Sequence, residues 1–161
     1  MKINVFRIDD RLIHGQIVTS WLNYADANQI VVCDDKAAKD SFQQSLLRMA
    51  TPKGIGLKII SLEKIKNEIN DLGEKNTLFL VRGPQEAVKV VNVIPDIKTI
   101  NVGNLNMSKG KEKVLDNLWV YPEDIKAFEE LDSKNIEVEY RTLPNDNKKN
   151  VIELLKHKKM I

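Results

Sequence analysis

Short apolar runs alternate along the chain with longer runs in which apolar residues recur at helical spacing. The short runs are rich in β-branched and aromatic residues, which favours strands. Strands are predicted at residues 3–8, 29–33, 57–60, 77–81 and 97–102. The run at 29–33 is nearly continuous in apolar character, as expected for a strand that is covered on both faces.

The longer runs are predicted to be amphipathic helices. The first carries Ile17, Val18, Trp21, Leu22 and Ala25. The next, at 37–50, is predicted as one helix that turns a stripe toward the core, and Pro52 and Gly54 end it. That stripe comprises Ala38, Phe42, Leu46, Met49 and neighbouring residues. Further helices are predicted at 62–72, 84–91, 122–131 and 145–156.

Three segments between these runs are less regular. Residues 105–110 have no periodicity, which indicates a surface loop, and 113–120 are predicted to form one short strand. Residues 136–140 alternate apolar and acidic side chains, which is typical of a half-exposed edge strand. The whole pattern predicts an α/β fold, a single domain over residues 1–161 with an open, mostly parallel sheet of about six to seven strands and helices on both faces.

Composition narrows the classes of protein that fit. The 161 residues are 42% hydrophobic and 30% charged, as in an ordinary globular domain, and a net charge of +2 gives no reason to expect nucleic acid as a partner. A single cysteine rules out an internal disulfide framework. No signal peptide is recognisable and no apolar stretch approaches ~18 residues, so a cytoplasmic location is expected.

The first strand-to-helix connection contains the richest chemistry. Residues 7–16 read Arg-Ile-Asp-Asp-Arg-Leu-Ile-His-Gly-Gln, which places His14 at the start of the first helix. Unpaired N–H groups there carry about half a positive charge and attract anions. Arg11 offers a planar fork of donors, Gly15 leaves the backbone open to a ligand, and a neutral imidazole is a competent nucleophile. A histidine that only hydrogen-bonds its own loop is the alternative.

Other polar residues follow the remaining strands. Ligands of an open α/β sheet bind beyond the carboxyl ends of its strands. Asp34, Arg82 and Asn104 each follow a predicted strand, so we expect them to share one rim with His14. Whether Arg82 or Arg141 reaches His14 is left open by the sequence.

The segment at 7–16 resembles the phosphorylation-site segment of the IIB subunits of the sugar phosphotransferase system, in the mannose/fructose/sorbose class. Segments at 31–35, 46–52, 100–104 and 124–128 also resemble family segments and follow in family order. The resemblance therefore extends over nearly the whole chain.

The resemblance implies a protein-histidine/sugar phosphotransferase. In that family the histidine matching His14 accepts a phosphoryl group on Nδ1 from a phosphohistidine of a IIA protein or domain. It passes the group to a sugar held by the membrane subunits IIC and IID, through which the IIB subunit is associated with the membrane. Mannose, fructose, sorbose and amino sugars are all candidate substrates, and the oligomeric state is left open.

Roles for the residues beside His14 follow from this reading. Arg11 is expected to neutralise phosphoryl charge, and the N–H groups beginning at Gly15 and Gln16 are expected to receive phosphoryl oxygens. Asp10 is expected to orient either Arg11 or the imidazole. No metal and no cofactor is called for, because transfer between two positioned imidazoles depends mostly on geometry and electrostatics.

Competing interpretations rest on other residues. Cys33 is a candidate phosphorylated thiol, but its place in an apolar strand beside two aspartates predicts a raised pKa and a packing role. Asp34 and Asp35 are candidate Mg²⁺ ligands, yet the chain has no nucleotide-binding fingerprint, so turn residues are favoured. A noncovalent module for a phosphorylated metabolite or nucleotide is the alternative function, with no covalent step.

Recognition of partners is expected to depend on basic residues around His14. These are Arg7 and Arg11, with Lys53, Arg82 and the lysines at 109, 111 and 113 as weaker candidates.

Overall fold

A twisted sheet with helices on both faces organises the computed structural model, which describes all residues from 1 to 161. The strands are β1 (Lys2–Asp9), β2 (Gln29–Cys33), β3 (Gly56–Ile60), β4 (Asn76–Val81), β5 (Thr99–Asn104), β6 (Glu112–Leu115), β7 (Leu118–Val120), β8 (Glu137–Tyr140) and β9 (Lys149–Asn150). Seven of them form one sheet in the order β3-β2-β4-β1-β5-β8-β9. All neighbours are parallel except β8 and β9. The predicted fold class is confirmed.

The sheet separates two hydrophobic clusters, each of which is covered by helices. The helices are α1 (Gly15–Ala25), α2 (Asp35–Lys39), α3 (Ser41–Ala50), α4 (Ile65–Glu68) with a 3₁₀ turn (Ile69–Leu72), α5 (Pro84–Val91), α6 (Pro122–Ser133) and α7 (Val151–His157). α1, α2 and α3 pack on one face through residues such as Trp21 and Leu47. α4 to α7 pack on the other face through residues such as Val90 and Phe128. None of the helices is long and apolar enough to cross a bilayer.

The predicted helix at 37–50 is in fact two short helices. The Asp40 carboxylate accepts hydrogen bonds from the N–H groups of Phe42 and Gln43 and so caps a new helix. The break changes the helical phase, and Leu47 becomes the residue that packs on the sheet. The predicted core stripe is therefore wrong, because Phe42 is 71% and Met49 82% exposed.

Other boundaries also differ from the prediction. Residues 112–120 form an antiparallel hairpin of β6 and β7 rather than one strand. The last helix begins at Val151, after a short β9 that pairs with β8, and the helix after Ser61 begins only at Ile65. The predicted edge strand buries Glu139 instead of exposing it, because that carboxylate has an arginine partner within the fold.

The central position of β1 defines the rim on which the candidate site lies. β1 has β4 on one side and β5 on the other. After β1 the chain crosses by α1 toward β2, whereas after β4 it crosses by α5 on the opposite face toward β5. Connections diverge at the carboxyl end of β1, which is where open α/β sheets bind their ligands.

Candidate functional site

Buried apolar residues hold the loop between β1 and α1 in place. Leu12 and Ile13 are buried in the cluster beneath α1, while His14 between them and the helix is exposed. The Leu12 N–H donates to the Asp9 carbonyl, and Leu12 has a left-handed φ of 60°. Left-handed backbone is costly for a branched side chain and is often found at functional loops. The tight turn carries Arg11 back over the end of β1.

Arg11 contacts the imidazole directly. Its Nη1 lies 3.4 Å from Nδ1 of His14. A guanidinium can only donate, so this contact is a hydrogen bond only when Nδ1 accepts, and it favours the neutral tautomer of His14 with the ring proton on Nε2. In that tautomer Nδ1 has the free lone pair that a nucleophile needs.

The carboxylate that orients Arg11 belongs to Asp9. Asp9 Oδ1 accepts from the Arg11 backbone N–H at 2.9 Å and from Nε at 3.1 Å, and Oδ2 accepts from Nη2 at 3.1 Å. Asp9 is only 1% exposed. The prediction that Asp10 orients Arg11 or His14 is not supported, because the Asp10 carboxylate makes no hydrogen bond or ion pair to either side chain.

Asp10 instead joins the neighbouring loops. Its carboxylate accepts from the side-chain amides of Asn104 and Asn106 and from the Asn106 backbone N–H. Its backbone carbonyl accepts from Arg82 Nη1 at 3.2 Å. Asp10 thus fixes the connections after β4 and β5 against the His14 loop, and it supports the site through the loops rather than through the imidazole.

Arg82 is held by Asp34. Nε and Nη2 of Arg82 donate to the two Asp34 oxygens at 2.9 and 2.8 Å. Burial alone would raise the pKa of Asp34, but hydrogen bonds from Arg82 and from the Ala37 N–H outweigh it and lower that pKa below its usual range. These contacts and those of Asp10 hold Asp34, Arg82 and Asn104 on the same rim as the His14 loop, as predicted. Arg82 is committed to Asp34 and Asp10 and makes no hydrogen bond to His14.

The start of α1 is open to an anion. His14 occupies the N-cap position, no side chain caps the first N–H groups, and the first turn contains no acidic residue. Gly15 has a φ of +47°, and a Cβ at Gly15 would meet nothing within 4 Å. Gln16 is exposed in the same turn. The donors at Gly15 and Gln16 are therefore available to negatively charged oxygens.

The site is a surface rather than a pocket. The cavity beside His14 has a volume of about 10 Å³ and is lined by residues that include Arg7, Asp9 and Trp21. Such a volume holds about one water molecule, whereas small-molecule sites usually measure about 300–1,000 Å³. A partner must therefore bring the reacting group to His14 from outside.

Several predicted recognition residues have other roles. Arg7 is buried at 2% exposure, which contradicts its prediction as a surface contact. The Arg141 side chain pairs with Glu139 and does not reach His14. Lys111 donates to the Asn106 carbonyl and Lys113 pairs with Asp116.

Cys33 has the packing role predicted for it. It is fully buried in β2. Burial, with the nearby carboxylates of Asp35 and Asp34, raises the pKa of the thiol to about 12. A thiol in that state is protonated near neutral pH and is a poor nucleophile.

The sequence analysis assigned one site residue, Arg7, to partner recognition and gave another, Asp9, no role. They lie two positions apart and therefore on the same face of β1, in a strand that is otherwise mostly apolar. A pair of polar side chains on one face of a buried strand is the signal that points to them.

Comparison with known proteins identifies relatives over the full length. The family model "PTS system sorbose subfamily IIB component" matches residues 3–161. The chain is 32% identical over 155 residues to the PTS system sorbose-specific EIIB component of Klebsiella pneumoniae, covering 95% of this chain and 94% of that protein. It is 32% identical over 158 residues to the mannose-specific EIIAB component of Escherichia coli (strain K12), covering 96% of this chain and 49% of that protein. The solved IIBSor domain of the Klebsiella pneumoniae sorbose permease has a TM-score of 0.93 at 31% identity, covering 98% of each chain.

Proposed function

The chain belongs to the sorbose subfamily of IIB components of the sugar phosphotransferase system, and we propose that it carries the phosphoryl group of that system on His14. Membership makes the chain a phosphotransferase component and favours a phosphoryl carrier over a noncovalent binding module. The observation that supports His14 as the carrier is its exposed ring at the start of α1, with Arg11 Nη1 3.4 Å from Nδ1.

Nδ1 of His14 is the nucleophile in this proposal. Its lone pair attacks the phosphorus of a phosphohistidine on a IIA partner, in line with the N–P bond of the donor. A new N–P bond forms at Nδ1 as the donor bond breaks, and the donor imidazole keeps the electron pair. In the second step a sugar hydroxyl oxygen bonds to phosphorus as the Nδ1–P bond breaks. The His14 imidazole keeps the electron pair of that bond, and the hydroxyl proton passes to solvent.

Arg11 and the first N–H groups of α1 stabilise the charge in both steps. The Arg11 Nη1 donor that faces Nδ1 in the free protein is already directed at the position where phosphoryl oxygens arrive. The N–H groups at Gly15 and Gln16 supply further donors. Preorganised donors lower the barrier because they need no reorientation when the charge develops.

The proposed partners follow from the family and from the shape of the site. The donor is a IIA protein, consistent with the mannose-specific EIIAB relative, of which this chain spans about half. The acceptor sugar is held by the membrane subunits IIC and IID, because a cavity of about 10 Å³ beside His14 cannot hold a sugar. The chain would then work in the cytoplasm, associated with the membrane through those subunits.

Intact mass after incubation with phosphoenolpyruvate, the general phosphotransferase proteins and a IIA partner tests the proposal. One added phosphoryl group is expected on the wild type and none on His14→Ala. His157→Ala is the matched control, since the chain has two histidines and His157 is exposed in the last turn of α7. Phosphorylation that persists in His14→Ala would overturn the proposal, and its loss in Cys33→Ser would point to the thiol.

A further inference from the structure

One buried carboxylate holds two arginines that differ in accessibility. Asp9 Oδ2 lies 3.2 Å from Nη2 of Arg7 and 3.1 Å from Nη2 of Arg11. The Arg7 side chain is 3% exposed, whereas that of Arg11 is 26% exposed. Only Arg11 can meet a group that arrives from solvent.

Arg7 is fixed within the fold. Its Nη1 donates to the Asn101 side-chain oxygen and to the Arg141 backbone carbonyl, and its guanidinium lies 4.9 Å from the centre of the Trp21 ring. Burial lowers the pKa of Arg7 to about 10, so the group still carries its positive charge near neutral pH. Arg7 makes no hydrogen bond to His14, although both residues line the cavity of about 10 Å³ beside the imidazole, and the proposed function gives Arg7 no task.

Asp9 controls which edge of Arg11 faces the imidazole. It binds Nε and Nη2, the two donors on one edge of the guanidinium, and so leaves Nη1 directed at His14. A carboxylate in this place has a disadvantage, however. Paired with Arg11 alone, it would cancel the positive charge that a phosphoryl group needs.

Arg7 removes that disadvantage. Two guanidinium groups face one carboxylate, which leaves one net positive charge in the cluster of Arg7, Asp9 and Arg11. Beyond this cluster in the sheet lie Glu139 and Arg141. They pair with each other at 2.7 Å and together contribute no net charge. The positive charge presented at Arg11 is thus maintained by an arginine behind it.

We propose that Arg7 and Asp9 are positioning residues for phosphoryl transfer. Asp9 directs Arg11 Nη1 at Nδ1 of His14, and Arg7 neutralises Asp9 so that the charge of Arg11 is available to the phosphoryl group. The inference rests on the proposed function of His14 as the phosphoryl carrier.

Transfer kinetics from a phosphorylated IIA protein test the role of Arg7. Arg7→Gln removes the charge and is expected to slow the maximal transfer rate at least about tenfold, with KM for the donor within about twofold, since loss of a direct donor costs about 10²–10³. Arg7→Lys keeps the charge and should stay within about threefold of wild type. A role in packing alone would affect the lysine and glutamine variants equally.

The double variant Glu139→Gln with Arg141→Gln is the matched control. The pair is also buried, and Arg141 is stacked at 5.1 Å on Trp21, but neither side chain hydrogen-bonds to Asp9. Replacing both residues removes a neutral pair and leaves no unpaired charge, so the rate should stay within about twofold of wild type. The inference is overturned if Arg7→Gln transfers at the wild-type rate, if Arg7→Lys is as slow as Arg7→Gln, or if the double variant is as slow as Arg7→Gln.

The role of Asp9 has a readout that does not depend on transfer. In the unphosphorylated protein, ¹⁵N chemical shifts should report Nδ1 of His14 as unprotonated, and Asp9→Asn should give a mixture of tautomers as Arg11 loses its fixed orientation. An unchanged tautomer in Asp9→Asn overturns the inference even if Arg7→Gln does not fold. Failure of the proposed function is seen separately, as phosphorylation that persists in His14→Ala.

Discussion

Gly103 in β5 lies directly against the guanidinium of Arg7, so that a Cβ on Gly103 would fall 2.0 Å from Arg7 Cζ. Arg7 is enclosed on its other sides by Asn101 and Trp21. No side chain other than hydrogen fits between the two strands at this position. The close approach links the packing of β5 to the orientation of the cluster that holds Arg11.

Gly103→Ala should therefore destabilise the protein and slow transfer. Displacing Arg7 from a filled site is expected to lower the free energy of unfolding by about 1–3 kcal/mol. Urea denaturation measures this change. Gly56→Ala in β3 is the control, because a Cβ there would make only an ordinary contact at 3.8 Å with the Asn28 carbonyl. Equal stability of the two variants would contradict the close approach.

Arg11→Lys should keep the fold and slow phosphoryl transfer. Lysine keeps the charge but cannot bind Asp9 through two donors and face His14 with a third. Loss of one aligned donor costs about 2.7–4 kcal/mol, so the rate should fall roughly 10²–10³-fold in rapid-quench measurements. Arg48→Lys on the exposed side of α3 is the control. A rate for Arg11→Lys within a factor of two of wild type would make Arg11 a bystander.

Asp34 should contribute stability that depends on pH. Its folded pKa is lowered by Arg82, so the stabilisation is present above the unfolded pKa of about 3.9 and is lost as pH falls below it. Asp34→Asn retains an N-cap residue for α2 and removes the charge. The difference in unfolding free energy between wild type and Asp34→Asn should be full at pH 7 and shrink below about pH 4.

Asp116→Asn is the control for this pH series. Asp116 also pairs with a lysine, Lys113, but both side chains are largely exposed. Exposed pairs are screened by water and salt, so this variant should match wild type across the pH range. A difference for Asp34→Asn that stays constant with pH would show that its charge does not matter.

Transfer from a IIA protein should slow as salt is raised from low to several tenths molar. Exposed charges steer the encounter and are screened over about 10 Å at 0.1 M. Lys109 is exposed on the loop that Asp10 holds beside the site, so Lys109→Ala should lower the second-order rate and flatten its salt dependence. Lys158→Ala, beyond the end of α7, should change neither. A flat salt profile for the wild type would contradict this account.

Donor and acceptor partners should compete for the protein. Both must reach the same exposed imidazole, which has only a cavity of about 10 Å³ beside it, and a relay that releases each partner after transfer favours a small transient interface below ~1,200 Å². Binding of a IIA protein should therefore weaken as detergent-solubilised IIC and IID subunits are added, measured by fluorescence anisotropy of labelled IIA. Simultaneous binding of both partners would show that their surfaces are separate.

The sequence by itself determined the alternation of most strands and helices and the place of His14 at the start of the first helix, but not the break between α2 and α3, the hairpin of β6 and β7, or β9. The apolar side chains of a run such as 29–33 are all buried when the run forms a strand that is covered on both faces. β2 comprises these residues, and all of them are buried. The position of His14 at the start of a helix is local information, carried by the change from strand to helical periodicity around it. The role of Asp34 as a turn residue was also predictable from the sequence. An aspartate immediately before a helix accepts a hydrogen bond from a backbone N–H of the first turn, which here is that of Ala37.

The tertiary structure decided the partners of those residues. Arg7 pairs in register with Asn101, and Asn101 with Glu139, so three strands align polar side chains across the sheet. That register is set by packing between segments far apart in the chain, 94 residues for Arg7 and Asn101 and 38 for Asn101 and Glu139, which no local pattern encodes. Asp9 rather than Asp10 holds Arg11, because the Asp9 carboxylate at the end of β1 accepts from the Arg11 backbone N–H and guanidinium, whereas the Asp10 carboxylate accepts from Asn104 and Asn106 of the neighbouring connection.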